Sequence, residues 1–523
     1  MTIPEDAFTQ LGPIAQSADA IATDLVGRDA VRRLFAGDHT LWRDDPTEIA
    51  DRLGWIPVVA EVLDELPELR ARCERLIEGN DHLLLMGMGG SSLFPEVCSQ
   101  TFEPAPPGLE LHVLDTTDPA AIARIAAECP PERTLHLASS KSGSTIETRS
   151  HLEWAWARSG DPSRFAVVTD PGSELGDLAR QRGFADVFEN RADIGGRYSA
   201  LSLFGIVPAL LGGVDAEGLL RGGLGALEDS GPDADPSSNP ALILASALAA
   251  GVGLGRDKAT FLLQPAVLTL GLWLEQLVAE SLGKDGTGVV PIVGEPPAPA
   301  DRYGDDRLFL IDPSLDDIAP AQDDVGRALG GAGHPLLMIG CDADAAEIGR
   351  MVVTAELATA LCGAALGVQP FDQPDVAAAK AATDDVLAEG GVTVDETPLA
   401  DLLAQLRPGD HLAIQAFVDP GGPNADALQA ARLRLRDEHR VATSLGFGPR
   451  YLHSTGQLHK GGPASIVCVQ VVTPDPQEIP IPGRDFGFGH LKQAQAAGDL
   501  RTLQQRGIRA GRVPLTDLTR HHL

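Results

Sequence analysis

Short apolar runs alternate along the chain with longer stretches in which apolar residues return every three or four positions. The runs at 82–86, 109–114, 134–138 and 165–169 predict buried strands, and 119–128, 145–158 and 173–182 predict helices between or after them. Such a βαβα rhythm implies a parallel sheet with right-handed crossovers, and parallel sheets bind ligands outside the carboxyl ends of their strands. A second block follows, with helix 240–253, strand 260–263, helix 267–282, strands 288–293, 308–311 and 335–339, and a long helix 345–366. It looks like a repeat of the first, although no periodicity in the sequence proves it. The C-terminal part adds strand 411–417, helix 424–439, strand 465–472 and helix 491–506, while residues 1–80 read as packing helices. The stretch 223–239, rich in Gly, Asp, Pro and Ser, reads as a linker. The fold class is therefore α/β with parallel sheets.

Two predicted strands run into loops suited to anions. Residues 87–92 read Gly-Met-Gly-Gly-Ser-Ser, and 139–148 read Ser-Ser-Lys-Ser-Gly-Ser-Thr-Ile-Glu-Thr. A strand that ends in small hydroxyl residues and opens into a helix aims free N–H and O–H donors at one point, although a capped turn uses the same residues. In 194–199, Ile-Gly-Gly-Arg-Tyr-Ser, two glycines beside Arg197 allow the backbone to approach a ligand and offer it a guanidinium; a turn capping the next helix is the alternative. Gln276 and Glu280 lie four apart on one helical face. A carboxylate near a helix C-terminus opposes the macrodipole, so Glu280 is either a general base or a solvated partner of Lys284. Lys380 falls on the second turn of a helix that opens after Pro370 and Pro374, and 446–463 packs two histidines, a lysine and many glycines into one connection.

Composition narrows these readings. The 523 residues are 43% hydrophobic, enough for several domains, and the net charge of -33 argues against nucleic acid or an anionic membrane as partner. An anionic substrate then needs a local reversal of sign. Lysine occurs only at 141, 258, 284, 380, 460 and 492, and four of these fall within the motifs above. The six cysteines are scattered singly, which predicts free thiols and no structural metal. With no signal-like segment and no apolar run of about 20 residues, the expected location is the cytoplasm.

Taken as a set, 87–95, 140–148, 195–199, 276–284, 371–380 and 452–461 resemble the phosphoglucose isomerase family, and the C-terminal arrangement looks most like the isomerase half of fused transaldolase/phosphoglucose isomerase proteins. The resemblance implies two sugar-isomerase (SIS-type) α/β sandwich domains, at 56–230 and 231–400, after an N-terminal helical segment, 1–55, and before a C-terminal α/β extension, 401–523. It implies an aldose-ketose isomerase acting on glucose 6-phosphate and fructose 6-phosphate without cofactor or metal. Ser140, Ser142 and Thr145, with the Lys141 backbone, would bind the phosphate, and Gly90 and Ser91 would line the sugar site. Gln276 and Gln373 would position the sugar, Arg197 would stabilise an enediolate, Glu280 would be the base, and His453 and Lys380 would assist ring opening. His459 matches no catalytic group. A homodimer is expected, because family members take this histidine from the neighbouring subunit.

This sequence departs from the family in placing the 452–461 segment after both the glutamate and the lysine segments, so His453 reaches the site only if the C-terminal domain folds back. Residues 1–50 are too short for a transaldolase barrel, and no transaldolase activity is expected. A dinucleotide enzyme is the enzymatic alternative, since Gly87, Gly89 and Asp115 imitate a Rossmann fingerprint, but Ser92 stands at the third glycine position. A non-catalytic sugar-phosphate-binding regulator on the same fold is the other alternative.

Overall fold

Several helices open with a capping side chain followed by proline at the first helical position. Asp118 accepts from the backbone N–H groups of Ala120 and Ala121 ahead of Pro119–Glu128, and Asn239 accepts from that of Leu242 ahead of Pro240–Gly253. In the computed structural model, which describes residues 10–313, 315, 325–390, 393–475 and 477–520, such helices flank three parallel sheets.

The first sheet comprises β1 (His82–Met86), β2 (Glu110–Leu114), β3 (Thr134–Ser139), β4 (Phe165–Thr169) and β5 (Asp186–Glu189), in the order β2-β1-β3-β4-β5. The second comprises β6 (Lys258–Leu262), β7 (Val290–Ile292), β8 (Arg307–Ile311) and β9 (Leu336–Met338), ordered β7-β6-β8-β9. The third, β10 (His411–Phe417), β11 (Ala442–Phe447), β12 (Ile466–Val472) and β13 (Arg509–Arg512), is ordered β11-β10-β12-β13. All three thus share one topology, with the second strand beside the first and the third on its other side. The repeat suspected in two blocks extends to the third.

One continuous core joins the helices around the first two sheets to the N-terminal helices, with Trp55, Phe94, Trp273 and Leu277 buried in it. The third sheet has a core of its own around Leu412, Ile414, Val467 and Val469. It docks on the first sheet's end through buried polar pairs. Arg450 reaches both Asp115 Oδ2 (2.7 Å) and Glu96 Oε2 (2.7 Å), Lys492 Nζ lies 3.0 Å from Asp118 Oδ2, and Thr117 donates to Gln495 at 2.8 Å. Buried charges are tolerated only when paired, so these contacts fix where the third sheet sits.

The linker reading of 223–239 is corrected in part. Helix Ala216–Asp229 occupies its beginning, and the connection that remains is 230–239 with a 3-10 turn, Pro236–Ser238. Gly223, and Gly222 just before the stretch, serve helix packing. A Cβ on Gly222 would lie 1.8 Å from the Ala346 carbonyl oxygen on helix Ala345–Leu366, which crosses at backbone contact. That second helix is long and apolar enough by composition to cross a membrane, and 83% of its apolar window is buried in the protein.

Gly222→Ala should force these two helices apart, lowering unfolding stability by about 1–3 kcal/mol in urea titrations. An unchanged midpoint would mean that the contact relaxes without cost.

Candidate active site

In the first sheet the strand order reverses direction between β1 and β3, and the crevice at such a switch point is where ligands enter parallel sheets. The two loops at that crevice are 87–92 and 140–145. In the second of them the hydroxyls organise one another: Ser140 Oγ lies 3.2 Å from Thr145 Oγ1 and accepts from the Gly143 N–H at 3.2 Å, and Ser142 Oγ lies 3.0 Å from Ser144 Oγ. Thr145 stands at the N-cap position of helix Ile146–Ser159 with its hydroxyl turned to Ser140, and the first turn of that helix faces a cavity of about 370 Å³. Ser142, Thr145, Lys380, His453 and Arg484 are among its lining residues, together with Glu147 and Asp384, so this acidic chain brings cationic side chains to the cavity alongside carboxylates. The Lys141 side chain turns away to Asp170 and the Ala192 carbonyl, leaving its backbone in the loop.

Beside this cavity lies an acid–base cluster built on helix Leu270–Leu282. Gln276 and Glu280 share a face as expected, and Gln276 Nε2 donates to Glu280 Oε2 at 3.2 Å. Arg197 is buried against them. Its Nε donates to Ser281 Oγ (2.9 Å), one terminal nitrogen donates to Gln373 Oε1 (2.7 Å), and the other donates to the Pro370 and Asp372 carbonyls (2.8 Å each). The nitrogen on Gln373 also lies 3.5 Å from Glu280 Oε2. Lys284 supports the same loop, donating to the Gln369 and Asp372 carbonyls and to Asp372 Oδ1; burial, then the charge of Arg197, push its pKa down to about 7. Gly90 is required where it stands, because a Cβ there would lie 1.8 Å from the Gly196 carbonyl oxygen. The 87–92 loop, with Ser91 buried in it, therefore lies against the Arg197 turn.

His453 joins the two regions. It follows β11 in the 3-10 turn Arg450–His453, which the buried Arg450 pairs pin to the first domain. Its backbone carbonyl accepts from Gln276 Nε2 at 2.8 Å, and its Nε2 lies 2.9 Å from Glu147 Oε1. The C-terminal domain thus folds back over the site of its own chain. Glu147 is buried, and burial alone would raise its pKa. The charge and hydrogen bond of His453, a backbone N–H and Lys380 outweigh burial and hold it at about 2. Gln495 Nε2 donates to the same oxygen at 2.7 Å. His459 is buried beside Gln415, and burial pushes its pKa down to about 3.

All twelve sequence-predicted site residues fall in or around this region, but not all face the cavity. Ser140 is buried within its loop, while Glu280, Arg197, Gln276 and Gln373 are not among the lining residues and connect to the cavity through the Gln276–His453 bond. Glu147, Gln495, Ser281 and Arg484 belong to the site and were not singled out in the sequence. Glu147 and Ser281 carried a signal, lying inside the 140–148 and 276–284 motifs, whereas Gln495 and Arg484 lie outside every motif.

Fold and site together define a parallel α/β protein with an anion loop at a strand switch point and a buried acid–base cluster beside it. A family model described as "Phosphoglucose isomerase" matches residues 51–289. A glucose-6-phosphate isomerase of Rubrobacter xylanophilus is 30% identical over 408 residues, covering 67% of this chain and 91% of that protein. One from Synechococcus sp. (strain JA-2-3B'a(2-13)) is 37% identical over 211 residues, and that alignment covers 39% of this chain and 40% of the relative. Among solved structures, a hypothetical protein of Thermus thermophilus superposes with TM-score 0.62 at 26% identity, over 73% of this chain and 100% of that one. A glucose-6-phosphate isomerase of Chlamydia trachomatis shares the fold, with TM-score 0.57 and 18% identity over 74% of this chain and 87% of its own. The chain belongs to the phosphoglucose isomerase family.

The Glu147–His453 contact makes stability depend on pH. A carboxyl whose folded pKa is depressed from 4.5 to about 2 stabilises the fold above pH 4.5 and loses that contribution as pH falls towards 2. The stability gap between the parent and Glu147→Gln should therefore be widest above pH 5 and narrow by on the order of 3 kcal/mol between pH 5 and 2. Chemical denaturation across that range measures it, and a gap constant with pH would refute the pairing.

Proposed function

We propose that the chain interconverts glucose 6-phosphate and fructose 6-phosphate through a cis-enediol(ate). The observation that carries this reading is Glu280, held by Gln276 and Arg197 in a buried cluster beside a hydroxyl-lined anion loop. In the aldose-to-ketose direction, Glu280 removes the C2 proton as the carbonyl at C1 gains electron density, and the same carboxyl returns a proton to C1 as the carbonyl forms at C2. The hydroxyl proton moves between the two oxygens, so nothing is gained or lost. Arg197 stabilises the charge that develops on oxygen. Gln276 Oε1 is buried and has no hydrogen-bond partner among the described residues, which leaves an acceptor for a sugar hydroxyl next to Glu280.

Ser142, Thr145, the Lys141 backbone and the helix N-terminus behind them take the phosphate, where no bond changes, and its binding energy orients C1 and C2. His453, held by Glu147, and Lys380 sit on the cavity wall where a cyclic sugar would open. The regulator reading is less well supported, because a sensor needs the anion loop but has no use for a carboxylate held between a guanidinium and a carboxamide. The reading extends to a cytoplasmic homodimer serving glycolysis and gluconeogenesis. Dimerisation rests on the resemblance alone, since His453 serves the site of its own chain, and sedimentation tests it.

Glu280→Gln should lower conversion of fructose 6-phosphate to glucose 6-phosphate by about 10²- to 10⁴-fold, read through a coupled dehydrogenase, with KM changed little. Equal rates in the parent and the variant would sink the mechanism.

A further inference from the structure

At the amino-terminal end of β1 and β2, opposite the end that carries the anion loops, three potential ligands share one face of the sheet. β1 and β2 pair with His82 against Glu110 and Leu84 against His112, so Glu110 and His112, two apart, point the same way as His82. His82 Nδ1 lies 3.2 Å from His112 Nε2 and 3.4 Å from Glu110 Oε2, and His112 Nε2 lies 3.8 Å from Glu110 Oε1. We propose that His82, His112 and Glu110 form a binding site for a divalent ion of borderline softness such as Zn²⁺.

The distances are those a tetrahedral ion requires. Ligands at Zn–N and Zn–O distances near 2.0 Å stand about 3.3 Å apart, and two imidazoles on one such ion have ring centroids about 5 Å apart. Here the centroids are 5.3 Å apart with the rings inclined at 55°. His112 also turns its other nitrogen, Nδ1, towards Glu128 Oε2 at 3.5 Å, the carboxylate–histidine–metal arrangement that fixes tautomer and ring orientation. Both imidazoles are partly buried while Glu110 is exposed, so an ion has a route in and a fourth position open to water. Two nitrogens and one carboxylate suit Zn²⁺ better than the all-oxygen preference of Mg²⁺ or Ca²⁺. The ion would clamp edge strand β2 to β1, about 13 Å along the strand from the anion loops, so its role is structural.

Chelator-treated full-length protein titrated calorimetrically with Zn²⁺ should bind one ion per chain, and Co²⁺ in its place should give the visible absorption of a tetrahedral site. His82→Gln/His112→Gln should abolish both and leave isomerase turnover unchanged. Glu128→Gln, at an exposed position, should weaken Zn²⁺ binding by about 10- to 100-fold. Failure to bind one Zn²⁺ per chain, or binding equally tight in the parent, the double variant and Glu110→Gln, would overturn the proposal.

Discussion

A buried guanidinium has to find an acceptor for each of its donors, and the site is arranged around that requirement at Arg197. Only 2% of this residue is exposed, and its nitrogens are taken up by Ser281, Gln373 and the carbonyls of Pro370 and Asp372. Leaving such a charge without partners would cost several kcal/mol, so the 370–373 loop has little freedom to sit elsewhere. Lys284 reinforces this by binding the Asp372 carbonyl as well as its carboxylate. Glu280 therefore meets a cation whose position is set before any substrate arrives, and catalytic electrostatics depends on that kind of preorganisation.

The third sheet answers a similar requirement at a larger scale. Arg450 and Lys492 enter the first domain's surface and find Glu96, Asp115 and Asp118 there, so two folded units are joined by charges that neither could bury alone. His453 stands three residues after Arg450, and its placement follows from the ion pairs. In this acidic chain Lys380, Arg484 and His453 line the same cavity, beside Glu147 and Asp384.

Much of this was legible in the sequence, and the exceptions have physical causes. Interior strands such as β1, β3, β10 and β12 are buried on both faces and mostly apolar, and announced themselves. The strands that went unread, β5, β11 and β13, are all edge strands, paired on one side and correspondingly polar, as Arg509-Ala-Gly-Arg512 shows. Glycines 223 and 225 read as part of a linker because composition does not distinguish a flexible glycine from one that lets two helices touch. Of the six lysines, Lys141, Lys258, Lys284, Lys460 and Lys492 each meet a carboxylate, inside and outside the motifs alike, and Lys380 lines the cavity. Glu147 and Gln495 could not be joined from sequence, because they lie 348 residues apart and meet only when the third sheet docks.

Covalent continuity between the third sheet and the rest gives the site a particular kind of robustness. His453 is presented to Gln276 and Glu147 by its own chain, so its local concentration is fixed by chain geometry and not by how much protein is present. Dilution cannot separate these groups. Separating them would have to be a unimolecular event that breaks the buried Arg450 and Lys492 pairs, so integrity of the site rests on the charges at one internal seam and not on protein concentration.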